Sequence, residues 1–251
     1  MKKNRYLLAL ASLLTVSAVT YTNNVVAEEA AEEKSPWTSS VELGYISTTG
    51  NTENQTTTGK ADVVYEVDKW RHTGHAEGYG QQSKDAAGET VVSAERYMLS
   101  GKTDYKFNEH DYAFGLVKLQ KDRFSGFEYE HVVALGYGRK VIKQDNMELD
   151  LEIGPGERFF KVDNGVAEEE ALLRLAAKYW WAISDTSKFT QLLSTDIGED
   201  LTSVESVTGI QANINKTLAL KFTYTVRHKD TVPAGTEKTD TETAVTLVYN
   251  F

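Results

Sequence analysis

From Trp37 to the C-terminal Phe251 the chain alternates apolar and polar positions with a period of two, so successive side chains fall on opposite faces of an extended backbone. Met147, Leu149, Leu151 and Ile153 interleave with Glu148, Asp150 and Glu152, and Leu218, Leu220, Phe222, Tyr224 and Val226 interleave with Lys221, Thr223, Thr225 and Arg227. Turn residues cut this alternation into twelve segments. They predict strands at 37–48, 56–68, 70–83, 90–107, 111–124, 127–143, 147–161, 168–184, 188–199, 202–215, 217–229 and 239–251.

Three places strain the pattern. Ala167 to Ile183 is rich in helix formers, but Leu173, Leu175, Ala177, Tyr179, Trp181 and Ile183 also share one strand face, and a strand is the reading adopted. Gly74, Gly78 and Gly80 weaken the third segment and leave room for tyrosines or for curvature. Gly154-Pro155-Gly156 predicts a bulge, since proline cannot donate to a ladder.

The two faces differ too much for a soluble sandwich. Hiding a fully charged face in a small core is costly, whereas a membrane barrel turns that face toward water and its oily face toward lipid. The expected fold is therefore all-β, an antiparallel up-and-down transmembrane barrel of about twelve strands. Turns after even-numbered strands are short, as at Asp68-Lys69, and those after odd-numbered strands include longer stretches such as Ser83–Glu89 and Asp230–Lys238. Short periplasmic turns, longer outer loops and both termini in the periplasm follow from this arrangement. Trp37, Trp70, Tyr105, Phe107, Tyr112, Tyr179, Trp180, Trp181, Phe189, Tyr249 and Phe251 lie near strand ends, where interfacial girdles are built. Leu247, Tyr249 and the terminal Phe251 resemble the closing-strand insertion signal of bacterial outer-membrane barrels.

Composition agrees. Lys2, Lys3 and Arg5 followed by the apolar run Leu7–Val19 have the layout of a signal peptide with a cut after Ala27, and no cysteine follows to anchor a lipid. Removing residues 1–27 takes the formal charge from −10 to −13, which argues against a nucleic-acid partner. Residues 28–36 read as an acidic periplasmic leader and 37–251 as the barrel. No later run is long and apolar enough for a spanning helix, and mean hydropathy is −0.43. With no cysteine, three prolines, 18 glycines and 13 tyrosines, the fold rests on strand pairing and packing without disulfides.

The candidate chemistry is the lumen. Glu42, Asp62, Glu66, Arg96, Asp104, Lys118, Glu130, Glu148, Asp150, Glu152, Arg174, Lys178, Lys221, Arg227 and Glu242 are expected to line it, together with Lys60, Glu77, Lys102, Asp122, Glu128, Lys140, Arg158, Asp196 and Glu205, with an acidic excess. Such a lining either passes small cationic or neutral solutes through a narrow path or pairs across the interior and plugs it. The five histidines form no motif with a serine, and His72 and His75, three apart, fall on opposite strand faces. Neither a catalytic triad, a metal nor a cofactor is expected, although a membrane-embedded phospholipase-like hydrolase and a soluble periplasmic lipid carrier stand as alternatives.

Gly44-Tyr45, Thr48-Thr49-Gly50-Asn51-Thr52, Trp70-Arg71-His72, Asp122-Arg123-Phe124-Ser125-Gly126-Phe127-Glu128-Tyr129 and Gly136-Tyr137-Gly138-Arg139 together resemble the salt-induced outer-membrane proteins of Gram-negative bacteria, a family built on a domain of unknown function. The resemblance covers about residues 37–251. It implies an outer-membrane barrel linked to salt or osmotic conditions, reached through the secretion translocon and the barrel-assembly machinery and surrounded by outer-membrane lipid. It carries no catalytic or ligand-binding residues.

Overall fold

The computed structural model describes residues 35–48, 54–85, 88–123, 125–163 and 165–251. The expected signal peptide, most of the expected acidic leader and residues 49–53 lie outside them. The described chain forms twelve strands: β1 (Trp37–Thr48), β2 (Asn54–Val67), β3 (Trp70–Lys84), β4 (Thr90–Lys106), β5 (Asp111–Asp122), β6 (Phe127–Gln144), β7 (Met147–Val162), β8 (Ala167–Ser184), β9 (Ser187–Gly198), β10 (Thr202–Asn213), β11 (Leu218–Lys229) and β12 (Thr239–Asn250). Each pairs antiparallel with its sequence neighbours, and β1 pairs with β12 to close the barrel. The ambiguous Ala167–Ser184 segment is a strand, because as a helix it would leave its neighbours β7 and β9 with unpaired edges in lipid.

Alternation sets the wall. Leu43, Leu99, Leu135, Leu151, Ile153, Phe222, Val245 and Leu247 are all exposed on the outside, while Glu42, Glu77, Asp104, Glu130, Arg158 and Asp196 are buried inside. Gln191, Ser206 and Thr208 interrupt the apolar exterior and satisfy one another, Thr208 Oγ1 donating to Gln191 Oε1 at 2.7 Å and Gln191 Nε2 to Ser206 Oγ at 3.0 Å. At the short-turn end aromatic rings meet across strands, Trp37–Tyr65 at 4.5 Å and Trp70–Tyr105 at 4.9 Å, and along the end of β12, Tyr249–Phe251 at 4.6 Å between centroids. Such contacts contribute about 0.5–1.5 kcal/mol each beyond area burial.

Two members expected in that girdle are inside instead. Trp180 lies between outward Tyr179 and Trp181, so the period of two turns it inward, where Lys188 Nζ sits 5.0 Å from its ring. Tyr112 is 1 % exposed and packs with Phe114, Leu116 and Ala134. β5 therefore inverts the usual order, with bulky residues inward and Ala113 and Gly115 outward. Room for the rings comes from β6: a Cβ on Gly138 would lie 2.3 Å from Tyr112, and one on Gly136 2.7 Å from Phe114.

The Gly154-Pro155-Gly156 step is not a bulge. β7 keeps one register with β8 through Gly154↔Arg174, Pro155↔Leu173 and Gly156↔Leu172, and the same register on either side with β6. The pairing with β6 lapses only at Gly154 and Pro155, the latter without an N–H, and a Cβ on Gly154 would meet Leu135 O at 2.0 Å, so the step serves close strand approach. Register shifts occur elsewhere, between Gln81 and Gln82 against β4 and near both ends of β6.

Candidate functional site: the barrel interior

The inward faces carry charges that meet across the barrel as well as along its wall. Arg96 on β4 reaches Glu77 on neighbouring β3 and Glu242 on β12, both at 2.6 Å. Arg227 on β11 joins the same group, with Glu205 at 3.0 Å, Glu242 at 3.1 Å and Glu77 at 3.4 Å, and Lys60 adds a contact to Glu77 at 3.2 Å. On the other side Lys118 lies 3.9 Å from Asp196, which Arg174 holds through both oxygens at 2.7 and 2.9 Å. These groups form a crossbar joining strands that share no ladder.

Nearer the long loops the interior is full. Arg158, with no exposed surface, pairs with Glu170, approaches Glu130 at 3.4 Å, and donates to Leu201 O at 2.5 Å, Asp196 O at 3.0 Å and Ser203 Oγ at 3.0 Å. Lys229 Nζ lies 2.7 Å from Glu130 and 4.0 Å from the Phe127 ring. Phe127, Phe160 and Leu201 cluster above, and the free space among Lys118, Glu130, Asp196, Glu205 and Arg227 is only about 40 Å³, room for a water or two.

The β11–β12 loop closes this end. At Gly126, whose φ is +77°, a Cβ would lie 2.8 Å from Pro233, so the loop bears directly on the β5–β6 connection. Only glycine suits that φ and that contact. Asp230 fastens the base of the loop to the β9–β10 connection: Thr202 N donates to its Oδ1 at 2.8 Å, and its own N donates to Thr202 O at 3.1 Å. Burial opposes ionisation of this carboxyl, but hydrogen bonds from Thr202 and Thr231 outweigh it and hold Asp230 below the usual carboxylate range.

The short-turn half is wetter. Arg71, 2.7 Å from Asp104, and Lys102, 2.6 Å from both Asp104 and Glu152, form a wall-bound cluster to which Tyr112 donates through Glu152 at 2.9 Å. Asp150 stands 3.7 Å from Arg71, and Glu148 accepts from Lys140 at 2.6 Å. On the same wall Lys178, directly opposite Asp150 on β7, points inward yet remains exposed, as does Leu192; Asp62 binds His75 at 2.7 Å with 40 % of its side chain accessible, and Glu66 pairs with Lys106 at the mouth. Glu42, buried beside the closing seam, accepts from Lys221 at 2.5 Å and Thr246 at 3.3 Å.

Most of the expected lumen residues thus enter a few joined networks. Arg71, Glu170 and Lys229 complete them and, like Lys188 against Trp180, were missed, although each shares strand phase with an inward residue, as Arg71 does with Glu77 and Lys229 with Arg227; Glu128, expected inside, faces outward at the register shift between Phe127 and Tyr129 and pairs with Lys161. Because most additions are basic, the interior is closer to balanced than the expected acidic excess. His72 and His75 do fall on opposite faces, bonded to Thr103 and Asp62 respectively. Among the described residues no serine hydroxyl is bonded to a histidine, and no His, Asp or Glu group has metal-site geometry.

An antiparallel cylinder with an oily exterior, an aromatic belt and a braced polar interior defines an outer-membrane β-barrel. Its shape matches an outer membrane channel of Pseudomonas putida F1, with a TM-score of 0.51 at 10% identity over 86% of this chain and 95% of that one. The NanC porin matches similarly, with a TM-score of 0.51 at 8% identity over 84% of this chain and 98% of that one. The chain belongs to the family described as protein of unknown function, DUF481, whose sequence profile matches residues 41–251. An uncharacterized protein of Escherichia coli K12, YdiY, is 28% identical over 227 residues, covering 90% of this chain and 88% of its own.

Proposed function

We propose that the protein is a non-enzymatic barrel of the bacterial outer membrane that gives small ions and neutral solutes a narrow passive path and contributes to envelope behaviour under salt or osmotic stress. In this reading residues 1–27 direct export through the secretion translocon. Leu247, Tyr249 and Phe251 present the closing strand to the assembly machinery, and the short turns face the periplasm. The observation that carries the path is the interior's division into a wet vestibule, marked by accessible Lys178, Asp62 and Leu192, and a crossbar that narrows it. Near-balanced charge favours weak ion selectivity, at most mildly cationic. The stress role follows from the family resemblance.

Purified protein in planar bilayers is expected to show small steps that grow when the β11–β12 loop is shortened. Silence from both the wild type and the shortened variant would overturn the path and leave a structural barrel. Carbonate washing of membranes tests the location: a barrel stays in the pellet, and release into the wash would favour a soluble carrier.

A further inference from the structure

Where the chain closes on itself, the ladder is incomplete. β1 and β12 are in register only from Ser40↔Asn250 to Leu43↔Leu247, with Phe251 N donating to Ser39 O just below. Among the described residues no pair follows, although β1 continues to Thr48 and β12 begins at Thr239. The flanking seams, by contrast, are registered from Trp37↔Tyr65 to Thr48↔Asn54 and from Leu218↔Tyr249 to His228↔Thr239. The closed part ends on a tight floor: a Cβ on Gly44 would meet the Thr58 methyl at 2.7 Å, that of Thr246 at 3.0 Å and Val245 O at 3.1 Å, so the β12 backbone still reaches β1 at Gly44. Above it the backbone groups that β1 and β12 aim at each other lie outside the ladder.

Lipid cannot satisfy such groups, and each one left bare in hydrocarbon costs several kcal/mol; irregular edges persist at membrane depth only where water or polar matter reaches them. The geometry points to a lateral portal between β1 and β12, above Gly44, through which an uncharged amphipath with an apolar tail and a hydroxyl- or amide-rich head passes between lipid and the barrel interior. The outer lips are apolar, with Tyr45 and Val245 exposed on the two edges. Inside, Ile46 is an exposed apolar residue on an inward position, suited to a tail. Thr243, exposed on the β12 edge, adds a hydroxyl to the rim. Glu242 at this height is already held by Arg96 and Arg227, so a charged head would have to break an ion pair that a neutral head leaves intact.

The portal does not depend on axial conduction, and the cysteine-free chain makes it directly testable. In liposomes, Leu43→Cys with Leu247→Cys samples the registered floor, and Tyr45→Cys with Val245→Cys the same kind of position one repeat higher. Oxidation is expected to link the floor pair at least about tenfold faster than the upper pair, because backbones more than about 7 Å apart cannot be bridged without movement. Ile46→Cys with Ala244→Cys repeats the upper measurement if the first variant inserts poorly. A photoactivatable neutral alkyl glycoside should label the β1 and β12 edges, and stapling the upper cysteines with a long bifunctional maleimide should remove most of that label. Equal oxidation of floor and upper pairs, labelling that ignores the staple, or equal labelling by a phosphorylated analogue would each overturn the proposal.

Discussion

The two halves of the interior use the same residue types to opposite ends. Around Arg158 every charge is packed against partners or carbonyl oxygens, and aromatic rings and Pro233 shut the space above. Around Lys178 charges of both signs stand in accessible space, with Asp62, Glu66 and Leu192 all reaching water. The difference lies in volume and not in charge: the filled half receives Phe127, Phe160, Leu201 and a folded loop, whereas in the other half Tyr112, Phe114 and Leu116 pack along one wall and leave Lys178 and Leu192 exposed. An ion pair in the filled half is a structural brace; one in the wet half is a screened contact that solvent can replace.

The sharpest way to break the contrast is to remove the closure. Replacing Thr231–Glu237 with a two-residue turn should raise single-channel conductance by about an order of magnitude, since filling by loops separates plugged barrels from open ones. Next comes the brace: Arg158→Met leaves Glu170 buried without its cation, and Glu130 with Lys229 alone, and should cost about 3–5 kcal/mol of unfolding free energy, whereas Lys178→Met in the wet half should cost less than about 1 kcal/mol. Urea unfolding in lipid vesicles measures both, and equal losses would erase the distinction. A smaller effect is expected where rings are seated. Gly138→Ala drives a methyl into Tyr112 and should cost about 1–3 kcal/mol, most of it recovered when Tyr112→Leu is added.

Acid should produce the mildest change. The Asp230 carboxyl is held below its ordinary value of 3.8, so its contribution to loop fastening is fully present above that pH and is lost as pH falls through the lower, folded value. Conductance of the wild type should therefore rise only in strong acid. Asp230→Asn, which cannot ionise, should lose that acid-dependent step.

The strand plan was legible because a period of two survives even the helix-prone Ala167–Ser184 segment, and the predicted boundaries lie within a few residues of those observed. The site was half legible. Strand phase located Glu42, Arg96, Asp104 and Glu242, but not which of them would meet, because pairs such as Arg96–Glu242 depend on curvature that brings distant strands together. Placing Tyr112 and Trp180 in the girdle concealed the interior packing, and Phe114, Phe127 and Phe160 received no inward assignment because the search for lumen residues followed charge alone. The inward pairing of Tyr112 with Gly138 leaves a trace in sequence only as a large residue on one strand and a small one on the next.

β6 and β8 run for 18 residues each, while β1, β11 and β12 run for 12. A cylinder cut obliquely does not fit a slab of uniform thickness, and the surrounding bilayer answers mismatch by tilting the protein or thinning locally. The outward Glu128–Lys161 contact at 2.5 Å stands on the taller flank, where headgroups rather than acyl chains can meet it. Lipid beside the shorter flank is then the most deformed around the perimeter, and that is where the chain's two ends were joined.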